Sequence, residues 1–194
     1  GSPMLATKVL EDLVSAGVRD VETQSLLASA YKDLCESSFK PETKRHYAEL
    51  AIYRYKEAFV VQLEQSDQGV DNLSSQYYPC INVAFMYFVS HNLPKAHKYA
   101  NFAREICRSL KQRGDGSYWV QATEAESSLL LGEIDEAVSA YTIAVNLEDA
   151  QPSHIASTRK QALQISSLYS DSAIREKVAL AFPVLGIVAC SGHV

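Results

Sequence analysis

The chain has 194 residues, 47% of them hydrophobic, enough for one domain with a buried core. Its 23 acidic against 18 basic residues give a net charge of −5, which argues against a nucleic-acid binder. With 8 Gly, 6 Pro and no low-complexity tract it reads as a folded, mostly helical protein, and no apolar run reaches the roughly 18 residues of a membrane span.

Apolar period and capping residues predict the helices in order. Gly1-Ser2-Pro3 reads as a cloning remnant, and no secretory signal follows it. Leu5, Val9, Leu10 and Leu13 mark a first helix that Gly17 ends. Asp20 caps a second helix carrying Leu26, Leu27, Ala30, Tyr31 and Leu34. A third is striped by Tyr47, Leu50, Ala51, Tyr55, Ala58 and Phe59, and the polar residues 64–75 read as a loop. The fourth starts near Gln76, runs through Ile81, Ala84, Phe85 and Phe88, and breaks at Ser90-His91-Asn92.

Pro94 suits the first turn of the fifth helix, whose stripe is Ala96, Tyr99, Ala100, Ala103, Ile106, Cys107 and Leu110. After the Gly114-Asp115-Gly116 loop, Ser117 caps a sixth helix that runs to Leu131 and closes at Gly132. Ile134, Ala137, Val138, Tyr141, Ala144 and Val145 stripe the seventh. Pro152-Ser153 opens an eighth with Ile155, Ala156, Ala162, Ile165 and Tyr169, and a short ninth covers Ile174–Phe182.

One spacing recurs in three of these helices. Ala51, Tyr55 and Ala58 repeat as Ala96, Ala100 and Ala103, and again as Ala137, Tyr141 and Ala144. A small residue, a ring or second small residue four on, and a small residue three further on is the second-helix pattern of tetratricopeptide repeats. The intervals Ala51 to Ala96 and Ala96 to Ala137 are 45 and 41 residues, against a usual period of about 34. The expected fold is therefore all-α: an irregular helical-repeat superhelix of eight or nine helices over residues 4–182. Its units are 20–63, 76–111 and 117–147, with C-terminal helices over 153–182. Leu185–Cys190 reads as a short strand, so 183–194 is expected to begin a further domain or to be a linker.

Two sets of motifs carry a resemblance. One is Ala30-Tyr31-Lys32-Asp33-Leu34 with Ala51-Ile52-Tyr53-Arg54-Tyr55-Lys56-Glu57-Ala58-Phe59; the other is Tyr78-Pro79-Cys80-Ile81-Asn82-Val83-Ala84 with Tyr118-Trp119. Their order resembles the TRAF-binding, tetratricopeptide-type region of the apoptosis signal-regulating kinases, across roughly residues 20–150. Cys80 stands where that family often has Gly, and His91 replaces the turn Gly of the middle repeat. The tail Cys190-Ser191-Gly192-His193 is similar to the junctions of bacterial multidomain signalling or effector proteins. The resemblance implies a bacterial, cytoplasmic regulatory domain in signalling, without transfer of TRAF binding itself.

No catalytic set is legible. The five histidines are scattered, and HExxH, GxSxG and Walker loops are absent. Glu124 and Glu126 are two apart on one helix and face different ways. Cys35, Cys80, Cys107 and Cys190 form no CxxC pair and are expected to be reduced, partly buried thiols, so neither metal nor cofactor is expected.

The concave face lined by the first helix of each pair is the candidate site. Asn82 sits where peptide-binding arrays place a backbone-holding amide, with a local or inter-repeat hydrogen bond as its alternative role. Gln121 and Glu126, with Thr123, belong to the next repeat, and Tyr78, Tyr118 and Trp119 stand at helix starts, suited to stacking or to partner contact. These positions hold no Lys/Arg clamp for a C-terminal carboxylate, which argues against a chaperone-tail binder. The functional expectation is a non-enzymatic interaction and regulatory scaffold that binds a protein or peptide or self-associates. The alternative is a sensor gating a downstream enzymatic domain, with a small ligand or peptide in the groove.

Overall fold

The computed structural model describes residues 2–67 and 73–183, with side chains described over 2–61 and 76–183. The strand expected at Leu185–Cys190, and Cys190 and His193 with it, lie outside the described residues. The described residues form nine α-helices and no strand: α1 Pro3–Ser15, α2 Val21–Ser37, α3 Pro41–Asp67, α4 Leu73–Val89, α5 Leu93–Gln112, α6 Tyr118–Leu130, α7 Ile134–Ala144, α8 Pro152–Ser166 and α9 Ser172–Leu180.

From α1 to α7 each helix packs on the next, and α8 packs on α9. α2 packs on α3, α4 on α5, α6 on α7 and α8 on α9, and each pair contacts the next. α4, α6 and α8 also touch one another, and α9 touches α7. The even-numbered helices therefore form an inner layer and the odd-numbered ones from α3 onward an outer layer, as in a helical-repeat superhelix. α1 packs on α2.

The recurring small residues explain the close pairing. Ala51, Tyr55 and Ala58 are fully buried, as are Ala96, Ala100 and Ala103, and Ala137 and Tyr141; Ala144 is 1% exposed. Side chains no larger than a methyl group let two helix axes approach to about 8 Å. The rings of Tyr55 and Tyr141 fill the space that the alanines leave. Tyr141 also meets Phe182 at a centroid distance of 5.0 Å, which holds the segment after α9 against α7.

The turns obey one rule. After α1, α5 and α6 the chain reverses through Gly17, Gly114 and Gly132, each with positive φ. The residue after each donates its N–H back across the last turn, as in Glu133 N to Ser128 O at 2.9 Å, which satisfies a carbonyl the helix end leaves open. The same bond, Asn92 N to Tyr87 O at 2.9 Å, closes α4 with His91 in the glycine's place at φ +58°. The replacement read from sequence thus leaves a side-chain-bearing residue in the left-handed region.

Three boundaries differ from the sequence reading. α3 runs on to Asp67 and α4 begins at Leu73, so residues 64–67 and 73–75 are helical where a loop was expected. Pro79 then falls inside α4, where it removes one helical N–H. Ser117 occupies the N-cap of α6 without a capping bond from its side chain. Asp149, from beyond α7, takes that role: its Oδ2 accepts from Tyr118 N at 2.8 Å. By contrast Asp20 caps α2, accepting from Thr23 N at 2.7 Å.

Candidate functional site

The inner layer curves until α8 meets α2. Lys160 Nζ of α8 donates to Glu36 Oε2 of α2 at 2.8 Å, across 124 positions of sequence. One residue on, Gln161 Oε1 accepts from Lys32 Nζ. These contacts close the concave face into a cavity of about 480 Å³, bounded by α2, α4, α6 and α8 with Tyr55 from α3.

Its polar wall is one connected network. Lys32 Nζ also donates to Asn82 Oδ1 at 3.1 Å, and Asn82 Nδ2 donates to Tyr78 O at 2.9 Å. Gln161 Nε2 donates to Glu126 Oε1 at 2.6 Å. The Gln161 amide thus stands between an ammonium and a carboxyl, taking a bond from one and giving one to the other. The ring of Phe85 packs 4.3 Å from Lys32 Nζ.

Burial decides the charges. Desolvation pulls the Lys32 ammonium below its ordinary range, and the nearby carboxylates of Glu126 and Glu36 only partly oppose it. Desolvation likewise pushes the Glu126 carboxyl up to about 7, against the pull of Lys32 and the bond from Gln161. Glu126 is only 7% exposed. Lys160 is raised by its bond to Glu36. The result is a site whose central ions are incompletely compensated.

Four of the six residues singled out from sequence line this cavity: Tyr78, Asn82, Trp119 and Glu126. Tyr78 and Trp119 stand at its mouth, 44% and 40% exposed. Tyr78 meets Tyr55 edge-on at 6.2 Å. Trp119 packs on His154 at 4.7 Å. Asn82 makes both the local bond and the inter-repeat bond and still faces the cavity.

The other two lie elsewhere. Tyr118 is fully buried in the core, its hydroxyl donating to Thr158 Oγ1 at 2.8 Å. Gln121 accepts from Lys111 Nζ at 3.0 Å and lines a separate depression with Arg108 and Glu124.

Sequence reasoning missed Lys32, Glu36, Lys160 and Gln161. A signal for the first existed. Lys32 follows Ala28 by four positions and precedes Cys35 by three, both buried in α2, so it borders the buried stripe, where a lysine needs partners. α6 gives a similar signal, since it is buried on almost every side yet carries Thr123 and Glu126. Nothing local marks the residues of α8.

Residues 1–87 match a family model described as Tetratricopeptide Repeats-Sensor. The match covers α1 to α3 and most of α4, so the first part of the array is tetratricopeptide-like by sequence as well as by packing. No curated protein matches the chain, and no solved structure matches it. Among the described residues, no helix is long and apolar enough to cross a membrane. Among the same residues, no three His, Cys, Asp or Glu side chains are grouped to hold a metal.

Proposed function

We propose that the chain is a non-catalytic regulatory module that senses a small molecule in its concave cavity and reports occupancy through protein contacts. The closure of α8 onto α2 carries this reading. An open tetratricopeptide groove accommodates an extended peptide, whereas here Lys160–Glu36 and Gln161–Lys32 bridge the concave face and leave a half-open cavity of about 480 Å³. That volume lies in the range of small-ligand pockets, which combine aromatic walls with a few placed polar groups. The word sensor in the matched family's description points the same way. Placement within a larger bacterial signalling or effector protein belongs to the same proposal.

A mixed library of small anions, cations, zwitterions and neutral molecules tests it, read by thermal shift and by the fluorescence of Trp119, the only tryptophan in the chain. Hits that Asn82→Ala weakens support the reading. A library without hits, beside a peptide or protein that binds the wild type and loses affinity for Asn82→Ala, would return the module to plain scaffolding.

A further inference from the structure

We propose that the ligand of this cavity is a small carboxylic acid, its carboxylate seated on Lys32 Nζ and its flat apolar body lying against Tyr78 and Trp119. The proposal rests on the reading of the cavity as a small-molecule site and names what that site takes.

The argument begins with the two cations that line the cavity, Lys32 and Lys160. Lys160 is committed, since Glu36 Oε2 lies 2.8 Å from its ammonium. Lys32 is not. Both of its hydrogen-bond acceptors, Asn82 Oδ1 and Gln161 Oε1, belong to neutral amides. An ammonium carries three donors, and only the face of Phe85, 4.3 Å from Nζ, competes with the cavity for the third. A carboxylate arriving there makes a charge-assisted bond and puts counter-charge in direct contact with Lys32, which Glu126 and Glu36 supply only from a distance.

The surrounding charge selects among anions. Asp33, Glu36 and Glu126 line the same space. A phosphate dianion brings twice the charge of a carboxylate toward these three carboxyl groups and meets only one unpaired ammonium. A monoanion matches that single cation. A cationic ligand fares worse, because in the same seat it faces the Lys32 ammonium as a like charge. Asn82 and Gln161 fix the direction from which the carboxylate reaches Lys32, since they occupy the other two donors.

The body of the ligand follows from the mouth. Tyr78 and Trp119 are each held by a second ring, Tyr55 and His154, and each still exposes much of its surface. Flat surfaces fixed in this way favour an aromatic or other planar group.

Benzoate, phenylacetate and 3-phenylpropionate serve as probes, with benzylamine and phenyl phosphate as charge-swapped controls of similar shape. Binding is read by ligand-detected NMR and by Trp119 fluorescence, on wild type, Lys32→Met, Lys32→Arg and Lys160→Met. Thermal melts confirm that each variant is folded. At least one carboxylate is expected to bind and to perturb Trp119. Lys32→Met is expected to weaken it about tenfold or more, the scale of one lost charge-assisted bond, while Lys32→Arg retains more of it; Lys160→Met, which loosens the cavity and frees Glu36, is expected to fall between the two. If benzylamine or phenyl phosphate perturbs Trp119 and the carboxylates do not, the cavity remains a ligand site but the carboxylate assignment is overturned. Equal carboxylate binding by wild type and folded Lys32→Met overturns it too, as does the failure of all three carboxylates to bind. The mixed library then decides separately whether the cavity takes small molecules at all.

Discussion

Lys160 Nζ lies 2.8 Å from Glu36 Oε2, and this ion pair joins the eighth helix to the second. Lys160 is 65% exposed and Glu36 23%, so water and salt screen the attraction. A double-mutant cycle with Lys160→Ala and Glu36→Ala is expected to give a coupling of only about 0.5 kcal/mol, smaller still in high salt. Hydrogen exchange in α8 should rise in both single variants more than exchange in α6, because α6 is packed between its neighbours and α8 closes the array. Equal protection of α8 in wild type and variants would show that the pair does not hold the closure.

Glu126 makes stability depend on pH. Its carboxyl is raised from an ordinary 4.5 to about 7 by burial. Between those values the folded chain holds a proton that the unfolded chain has released. The contribution is therefore full below about pH 4.5 and is lost as pH rises through about 7. Glu126→Gln removes the titration and keeps an oxygen for Gln161 to bond. Relative to this variant, wild type is expected to lose up to about 3 kcal/mol between pH 4.5 and 7.5, measured by urea unfolding at each pH. Parallel stability profiles for the two proteins would contradict the assignment.

Two buried tyrosines should answer the same substitution in opposite ways. The Tyr118 hydroxyl donates to Thr158 Oγ1, whereas the Tyr141 hydroxyl is buried with no hydrogen-bond partner among the described residues. Tyr118→Phe strands the threonine oxygen and is expected to cost about 1 kcal/mol. Tyr141→Phe removes only a desolvated group and is expected to be neutral or to stabilise by up to about 1 kcal/mol. Chemical denaturation ranks the two directly.

His91 holds φ at +58°, where Gly17, Gly114 and Gly132 serve the equivalent turns. His91→Gly relieves the strain of the left-handed conformation and loosens the unfolded chain by a smaller amount. The net expectation is a gain of about 0.5 kcal/mol. The mirror experiment, Gly132→Ala at φ +84°, is expected to destabilise by about 1 kcal/mol. Thermal melts of the pair test the turn rule in both directions.

Overpacking probes the helix contacts. Ala100 is fully buried in the α5 stripe, in a chain where the same spacing occurs three times. Ala100→Leu adds three carbons where a methyl group sets the helix separation, and is expected to cost about 1–3 kcal/mol. Circular dichroism should show the helix content retained and the melting point lowered.

The helix pairs and their inner contacts were legible in the residues. Helix period, caps and small-residue spacing act over a few positions, so Ala96, Ala100 and Ala103 specify a close helix contact wherever the fold places them. Gly132 and Asp20 punctuate their helices for equally local reasons. Helix length was less local. α3 continues to Asp67 through residues whose polarity reads as loop.

The cavity was settled only by the tertiary structure. Repeat position places Asn82 and Glu126 on the concave face, but it places Gln121 there as well, and position at a helix start groups Tyr118 with Tyr78 and Trp119. Which residues oppose them depends on how far the array curves, and curvature sums small rotations over several helix contacts. Lys32 and Gln161 are 129 positions apart and meet because those rotations bring α8 round to α2. The sequence by itself determined a stack of close-packed helix pairs with a polar inner face. The superhelical turn decided that this face closes, and closure strips water from Lys32 and Glu126 and so turns an ordinary lysine and glutamate into the centre of the site.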